Sequence, residues 1–279
     1  TLAELTQVVE ITQRYQLPPV LVFPVIHKDL KDETGSYALN PEGLQLKAIE
    51  RLKSLDSTLG IMADLALDPY TNHGHDGVLH NEDVHNDETV RILEKVALLQ
   101  AQAGADVIAP SDMMDGRVGA IRKALDKQHF SHVNIISYAA KYSSCLYSPF
   151  RDALESAQCL GQGHKKSYQM DPRNAMEALH EVAQDLEEGA DGIIIKPGSF
   201  YLDIIHRVKT RFHCPTYAYH VSGEYAMLKA AQAAGCLDYD RAIMEVMTAF
   251  KRAGSDAIIT YAAPDVASLL QQLQKGAAA

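Results

Sequence analysis

The chain is poor in several features that mark whole classes of protein. Of 279 residues only four are cysteine, Cys145, Cys159, Cys214 and Cys236, and no two of them form a C-x-x-C pair. Neither a disulfide framework nor a zinc ribbon is indicated, and all four read as reduced thiols, with Cys145 a candidate pocket wall. Positive charge is also short: 26 lysines and arginines against 36 aspartates and glutamates leave a net charge of -10. Phosphate binding needs a basic face, so this balance argues against a nucleic-acid partner. No run approaches the roughly 20 apolar residues of a membrane helix, and residues 1–16 pattern as an amphipathic helix, not a cleavable signal. The expected partner is a small molecule, and the expected location the cytoplasm, or the stroma in a plastid. A linker is missing too, so a single barrel domain over residues 1–279 is expected.

What the sequence has in quantity is short apolar runs suited to buried parallel strands: Val20 to Ile26, Leu59 to Leu67, Asp106 to Pro110, Val133 to Ala140, Gly192 to Lys196, Thr216 to Val221 and Ala257 to Tyr261. Between them lie amphipathic helical patterns, among them Asp87 to Ala103, Ala175 to Glu188, Glu224 to Ala234 and Tyr239 to Ala253. Three joins are alike: AGADVIAP, EGADGIIIKP and AGSDAIITY each set a glycine after a helix and an aspartate before a strand. Alternating strand and helix with short joins predicts an α/β fold with a parallel sheet. A doubly wound sheet would be expected to show a glycine-rich phosphate loop, and no G-x-G-x-x-G follows any strand. The expectation is a (β/α)8 TIM barrel with seven strands in view and the first strand upstream of Thr1.

In such a barrel the chemistry sits at the carboxyl ends of the strands. Lys196 closes the run Gly-Ile-Ile-Ile ahead of Pro197, and Lys141 closes the run NIISYAA. Two lysines at one mouth lower each other's pKa, and a free amine is the form that attacks a carbonyl, so the pair predicts a Schiff-base centre. The segment from Asp64 to Gly77, DLALDPYTNHGHDG, holds three aspartates and two histidines. It reads either as a metal site on His73 and His75, as in barrel hydrolases, or as a polar loop packing the barrel top. Ser148 to Met170 reads as a lid, with Gly161 and Gly163 as hinges and Arg151, Lys165 and Lys166 as cations for a carboxylate.

Together the segments DLALDPYTNHGHDG, APSDMMDGRVGAIRKAL, SYAAKYSSCLYSPFRDA, KSYQMDP, IIIKPGSFYLDII, YHVSGEYAM and ITYAAP, in one order along nearly the whole chain, resemble the porphobilinogen synthase (5-aminolevulinate dehydratase) family. The resemblance implies condensation of two 5-aminolevulinate molecules to porphobilinogen in tetrapyrrole synthesis. Lys196 would hold the first molecule and Lys141 the second. Ser222 and Tyr261 would bind the first carboxylate, Arg151, Lys165 and Gln169 the second, Asp64 and Asp112 would assist proton transfers, and Tyr147 would wall the pocket. Zinc-type members carry three cysteines where this chain has Ala66, Asp68 and Asp76, so a zinc thiolate site is ruled out. The aspartate-rich, magnesium-responsive branch is implied, with Glu188 as the regulatory magnesium ligand and a homo-oligomer, an octamer in the family, as the assembly. The family's N-terminal arm and first strand have no counterpart in these residues. The chain also departs from the pattern at Ser199 and Phe200, which would reshape a wall. A catalytically silent relative acting as an interaction subunit is the competing reading.

Overall fold

The computed structural model describes residues 1–153 and 164–277, with the backbone alone for residues 151–153 and 276–277. Seven strands make one parallel sheet in the order β1 (Pro19–Val22), β2 (Gly60–Leu65), β5 (Val107–Pro110), β6 (Asn134–Lys141), β7 (Gly192–Lys196), β8 (Thr216–His220) and β9 (Ala257–Thr260). A small antiparallel hairpin, β3 (Leu79–His80) with β4 (Asp83–Val84), lies in the loop after β2. Each predicted run overlaps a strand, β1 beginning one residue before its run and β6 ending one residue after, and helices fill the intervals, so the sheet curls into a nearly closed barrel.

The barrel stays open between β1 and β9, which do not pair. In (β/α)8 order, a strand preceding the helix Leu5–Tyr15 would bond to the first and last of these seven. A cavity of about 540 Å³ lies at that place, lined by Val20, Leu21, Tyr217, Ile258 and Ile259 among others.

The three look-alike joins do one job each time. Gly104, Gly189 and Gly254 take φ of 105°, 107° and 114°, a left-handed turn that closes the helix before each of these strands at no Cβ cost. The aspartate two residues on then reaches the neighbouring strand. Asp106 accepts the Ile61 N–H at 2.7 Å, Asp191 that of Ile135 at 2.8 Å, and Asp256 that of Thr216 at 2.8 Å. Lys53 and Lys209 brace Asp106 and Asp256 in turn. Strand order is thus fastened at the amino ends, leaving the carboxyl ends to loops.

Side chains alternate between the barrel interior and the helical layer. Met62, Ala109, Ile136, Tyr138, Ile194 and Tyr219 pack together inside, and Ile193, Ile195 and Ala218 pack outward. The alternation breaks once. Between Ser137 and Ala140 the β6–β7 register shifts: Ser137 pairs with Ile193, yet Ala140 pairs with Ile195 and Lys141 with Lys196. Ala139 and Ala140 both face the outer layer as a result. Unbroken alternation from Tyr138 would have turned Ala140 inward and Lys141 out among the helices.

Two expectations about walls are corrected here. Phe200 is 68% exposed and lines no interior surface, while the Ser199 N–H is held by Glu224. Cys145, on the short helical turn Cys145–Tyr147, is exposed as well.

Candidate active site

The register shift sets Lys141 and Lys196 side by side at the ends of β6 and β7, 6% and 7% exposed. Around the Lys196 ammonium stand four rings, Tyr219 at 4.6 Å, Tyr138 at 5.2 Å, Tyr147 at 5.3 Å and Phe150 at 5.5 Å. Stripped of water and facing Lys141, its pKa falls to about 7, with burial the larger cause and the second lysine next. At neutral pH the free-amine fraction rises from roughly four parts in ten thousand for an ordinary lysine to about half.

Lys141 is held differently. Its ammonium donates to the Ser111 carbonyl and lies 3.5 Å from an Asp76 oxygen. The other Asp76 oxygen accepts from Lys165 at 2.7 Å, and Lys165 also reaches Asp68 at 3.0 Å. Burial pulls the carboxyl of Asp76 up, but the two lysines outweigh it and hold the group ionised below its usual range. Burial likewise opposes the charge on Lys165, and the two aspartates overcome it, raising its pKa.

Asp64, one residue before the end of β2, lies on the same interior face. Its Oδ2 accepts from Ser111 at 3.1 Å, and its buried Oδ1 has no partner among the described residues. Burial raises its pKa to about 7, against the pull of Lys196. A carboxyl and an amine that titrate together within one dry cavity can pass a proton between them. Asp112 is set one layer back, where its Oδ1 caps the Met114 N–H at 2.8 Å and its Oδ2 faces Arg117 at 3.5 Å. Burial raises it to about 6 even with that guanidinium beside it; Arg117 also lies 3.6 Å from Asp185.

The residues expected at the first carboxylate do come together. Tyr147, Phe150, Lys196, Tyr219, Val221, Ser222 and Tyr261 line one narrow cavity. Ser222 opens the helix Ser222–Ala233, and its hydroxyl accepts the Phe150 N–H at 3.1 Å. Tyr147 donates to the Tyr142 and Lys196 carbonyls at 2.6 and 3.2 Å, locking the loop to the strand end. The loop can sit this close because residue 223 is glycine: a Cβ there would lie 2.5 Å from the Leu146 carbonyl oxygen. Gly223→Ala is expected to cost about 1–3 kcal/mol of stability, as overpacking of rigid backbone does, and to weaken substrate affinity by displacing Ser222. Chemical denaturation and KM measured on the variant test both effects.

Of the residues expected at the second carboxylate, Gln169 is buried with its Oε1 unpartnered among the described residues. Lys165 has carboxylates of its own, as above. The Arg151 side chain and residues 154–163 of the expected lid, with Gly161 and Gly163, lie outside the described residues. Glu188 stands away from the lysines, its Oε2 accepting the Gly119 N–H at 2.9 Å.

His73 and His75 do not make the metal pair. The His73 ring bonds the Glu33 carbonyl at 3.1 Å and accepts the His75 N–H at 3.2 Å, while His75 Nδ1 bonds the Tyr168 hydroxyl at 3.1 Å. Burial lowers both pKa values, so both rings are neutral struts of the loop. Sequence reasoning missed Asp76 as the shared counter-ion of two lysines, and missed Tyr138 and Tyr219. The two tyrosines could have been found from period-2 alternation with Ile136 and Tyr217; nothing in the spacing measures the approach of Asp76 to Lys141.

Known proteins resemble this one along nearly the whole chain. The sequence profile of the family described as delta-aminolevulinic acid dehydratase matches residues 1–269. A delta-aminolevulinic acid dehydratase of Bradyrhizobium diazoefficiens is 51% identical over 262 residues, covering 94% of this chain and 74% of that protein. A chloroplastic one of Glycine max is 51% identical over 252 residues, covering 90% and 61%. The crystal structure of delta-aminolevulinic acid dehydratase (porphobilinogen synthase) from Toxoplasma gondii, in complex with the reaction product porphobilinogen, superposes with a TM-score of 0.94 at 43% identity over 96% of this chain and 76% of that one. With a matching profile over nearly its whole length, half its residues shared with these relatives and one barrel in common, the chain belongs to the delta-aminolevulinic acid dehydratase family.

Proposed function

We propose that Lys196 and Lys141 perform, in this chain, the reaction of its family: condensation of two 5-aminolevulinate molecules to porphobilinogen with loss of two waters. The observation that carries the assignment is the strand register that pairs the two lysines at one buried level. The free amine of Lys196 adds to the ketone carbon of the first substrate, and the carbinolamine loses its oxygen as water to leave an imine. Lys141 does the same with the second. One carbon–carbon and one carbon–nitrogen bond then join the two molecules. Each lysine leaves as an amine when the ring closes, so the net loss is the two ketone oxygens as two waters.

Tyr261 and Ser222 lie where they can bind the carboxylate of the molecule on Lys196. Arg151, Lys165 and Gln169 take the carboxylate of the second, and Lys165 must exchange Asp68 or Asp76 for it. Asp64, with an unpartnered oxygen facing the interior, receives and returns the protons. Asp112 supports it from behind the wall, and Tyr147 closes the pocket over Lys196.

Magnesium fits this chain at Glu188 only in part. Glu188 offers one oxygen that is not already accepting an amide, so the ion would complete its shell with water or with groups from a second copy. Among the described residues no helix is long and apolar enough to cross a membrane.

Borohydride reduction with labelled 5-aminolevulinate tests the assignment. Label on Lys196, with pyrrole formed in the unreduced control, is the expected result; turnover without any lysine adduct overturns the covalent route, and neither adduct nor pyrrole returns the chain to the silent-relative reading. The pH dependence of trapping is a second test. The lowered pKa means that the reactive amine is lost as pH falls through about 7. Adduct yield at short times is therefore expected to climb about tenfold per pH unit below 7 and level off above it. A yield still climbing near pH 10 would mark an unperturbed lysine.

A further inference from the structure

Apart from the lysine pair, the loop after β2 builds a second constellation that the reaction does not use. Asn81 and Glu82, the two residues between β3 and β4, take φ of 52° and 70°, so the hairpin reverses in two left-handed residues without glycine. That reversal sets His80 across from Asp83 and folds it back over the helix Asn86–Gln102. His85 precedes this helix as its cap. Its N–H donates to the Val78 carbonyl at 2.8 Å, and its Nδ1 accepts the Glu88 N–H at 3.3 Å. The two imidazoles lie 4.5 Å apart between centroids, and His80 Nε2 is 3.0 Å from a Glu88 oxygen.

We propose that His80, His85 and Glu88 form a binding site for a divalent transition metal of the zinc class. One ring nitrogen of each histidine and one carboxylate oxygen lie within 4.8 Å of one another. Ligands around a tetrahedral zinc are about 3.3 Å apart, from metal–ligand distances of about 2.0–2.1 Å, so closure needs shifts of the order of 1 Å in side chains on a short hairpin and one helical turn. Two imidazoles with one carboxylate select a borderline ion such as zinc, cobalt, nickel or copper over magnesium, which prefers oxygen alone. The histidines are exposed, which leaves the fourth position to water. Glu82, Asp83 and Asp87 add negative charge beside the ligands, favouring a cation. An ion pair between His80 and Glu88 would account for those two residues; it does not account for a second imidazole held against the first. The hairpin continues the loop that carries Asp76, and Val78 is tied to the same helix through Thr89, so a bound metal would fasten that loop to the helix.

The experiment is titration of the chelator-treated full chain with zinc by calorimetry, under reducing conditions, with cobalt as a spectroscopic probe. His85→Asn keeps a capping acceptor but removes the imidazole, so it separates loss of a ligand from loss of the helix cap; His80→Gln keeps size. The expected result is one equivalent of zinc with affinity at least about tenfold weaker in each variant, cobalt absorption bands that disappear in both, and no competition from millimolar magnesium. No zinc binding, or binding unchanged by both substitutions, overturns the proposal.

Discussion

Replacing Lys196 with methionine is expected to lower turnover by on the order of 10⁴-fold or more, as removing a covalent nucleophile does, while leaving the fold as stable as before or more so. Among the described residues no carboxylate is bonded to its ammonium, which is ringed by Tyr138, Tyr147, Phe150 and Tyr219. An unbranched apolar side chain of similar length fills that hole without stranding a partner, and it removes a group that must shed charge to be buried. Arginine is expected to be as inactive as methionine and less stable, since it cannot lose its proton. Pyrrole formation, borohydride trapping and thermal unfolding on the two variants distinguish the chemical role from a packing role. Turnover within tenfold of the parent in either variant would remove Lys196 from the mechanism.

The second large effect is expected at the shared counter-ion of two lysines. Asp76 is fully buried between Lys141 and Lys165. Asp76→Ala leaves two buried ammonium groups facing one another with Asp68 alone to answer them, and losing one partner of a buried ion pair typically costs about 3–5 kcal/mol. Its folded-state carboxyl sits below the ordinary value, so the stabilisation it gives is present at neutral pH and disappears as pH falls through that lowered value. The parent chain is therefore expected to lose stability on acidification over a range in which Asp76→Asn changes less. Denaturant unfolding at several pH values reads this directly, and parallel pH curves for parent and variant would mean that Asp76 carries no charge.

Much of this molecule could be read from residues in a row. Strand runs such as Gly-Ile-Ile-Ile-Lys, the glycine–aspartate joins and the lysines that end two strands are local patterns, and local patterns survive folding when every neighbouring element agrees with them. The joins revealed their place in the fold but not their partners: that Asp106, Asp191 and Asp256 each hold an N–H of the adjacent strand depends on strand order. The ionic core was hidden for a like reason. Asp68 and Asp76 are separated from Lys165 by 97 and 89 residues, and spacing along the chain carries no trace of that contact. His73 and His75 misled in the opposite direction, since an H-x-H pattern serves two strut-like hydrogen bonds as well as it serves a metal.

The shift in β6 bears on how such barrels should be aligned. Two alanine codons separate Tyr138 from Lys141, and one would suffice: a single residue between them keeps both side chains inward on a regular ladder, while the second is absorbed by the bulge. A homologous gene shorter by one codon here would keep its paired lysines, and one of equal length with a stiffer, unbulged strand would turn the second lysine to the outside. At this point in the fold, a gap preserves the lysine pair and an ungapped match does not guarantee it.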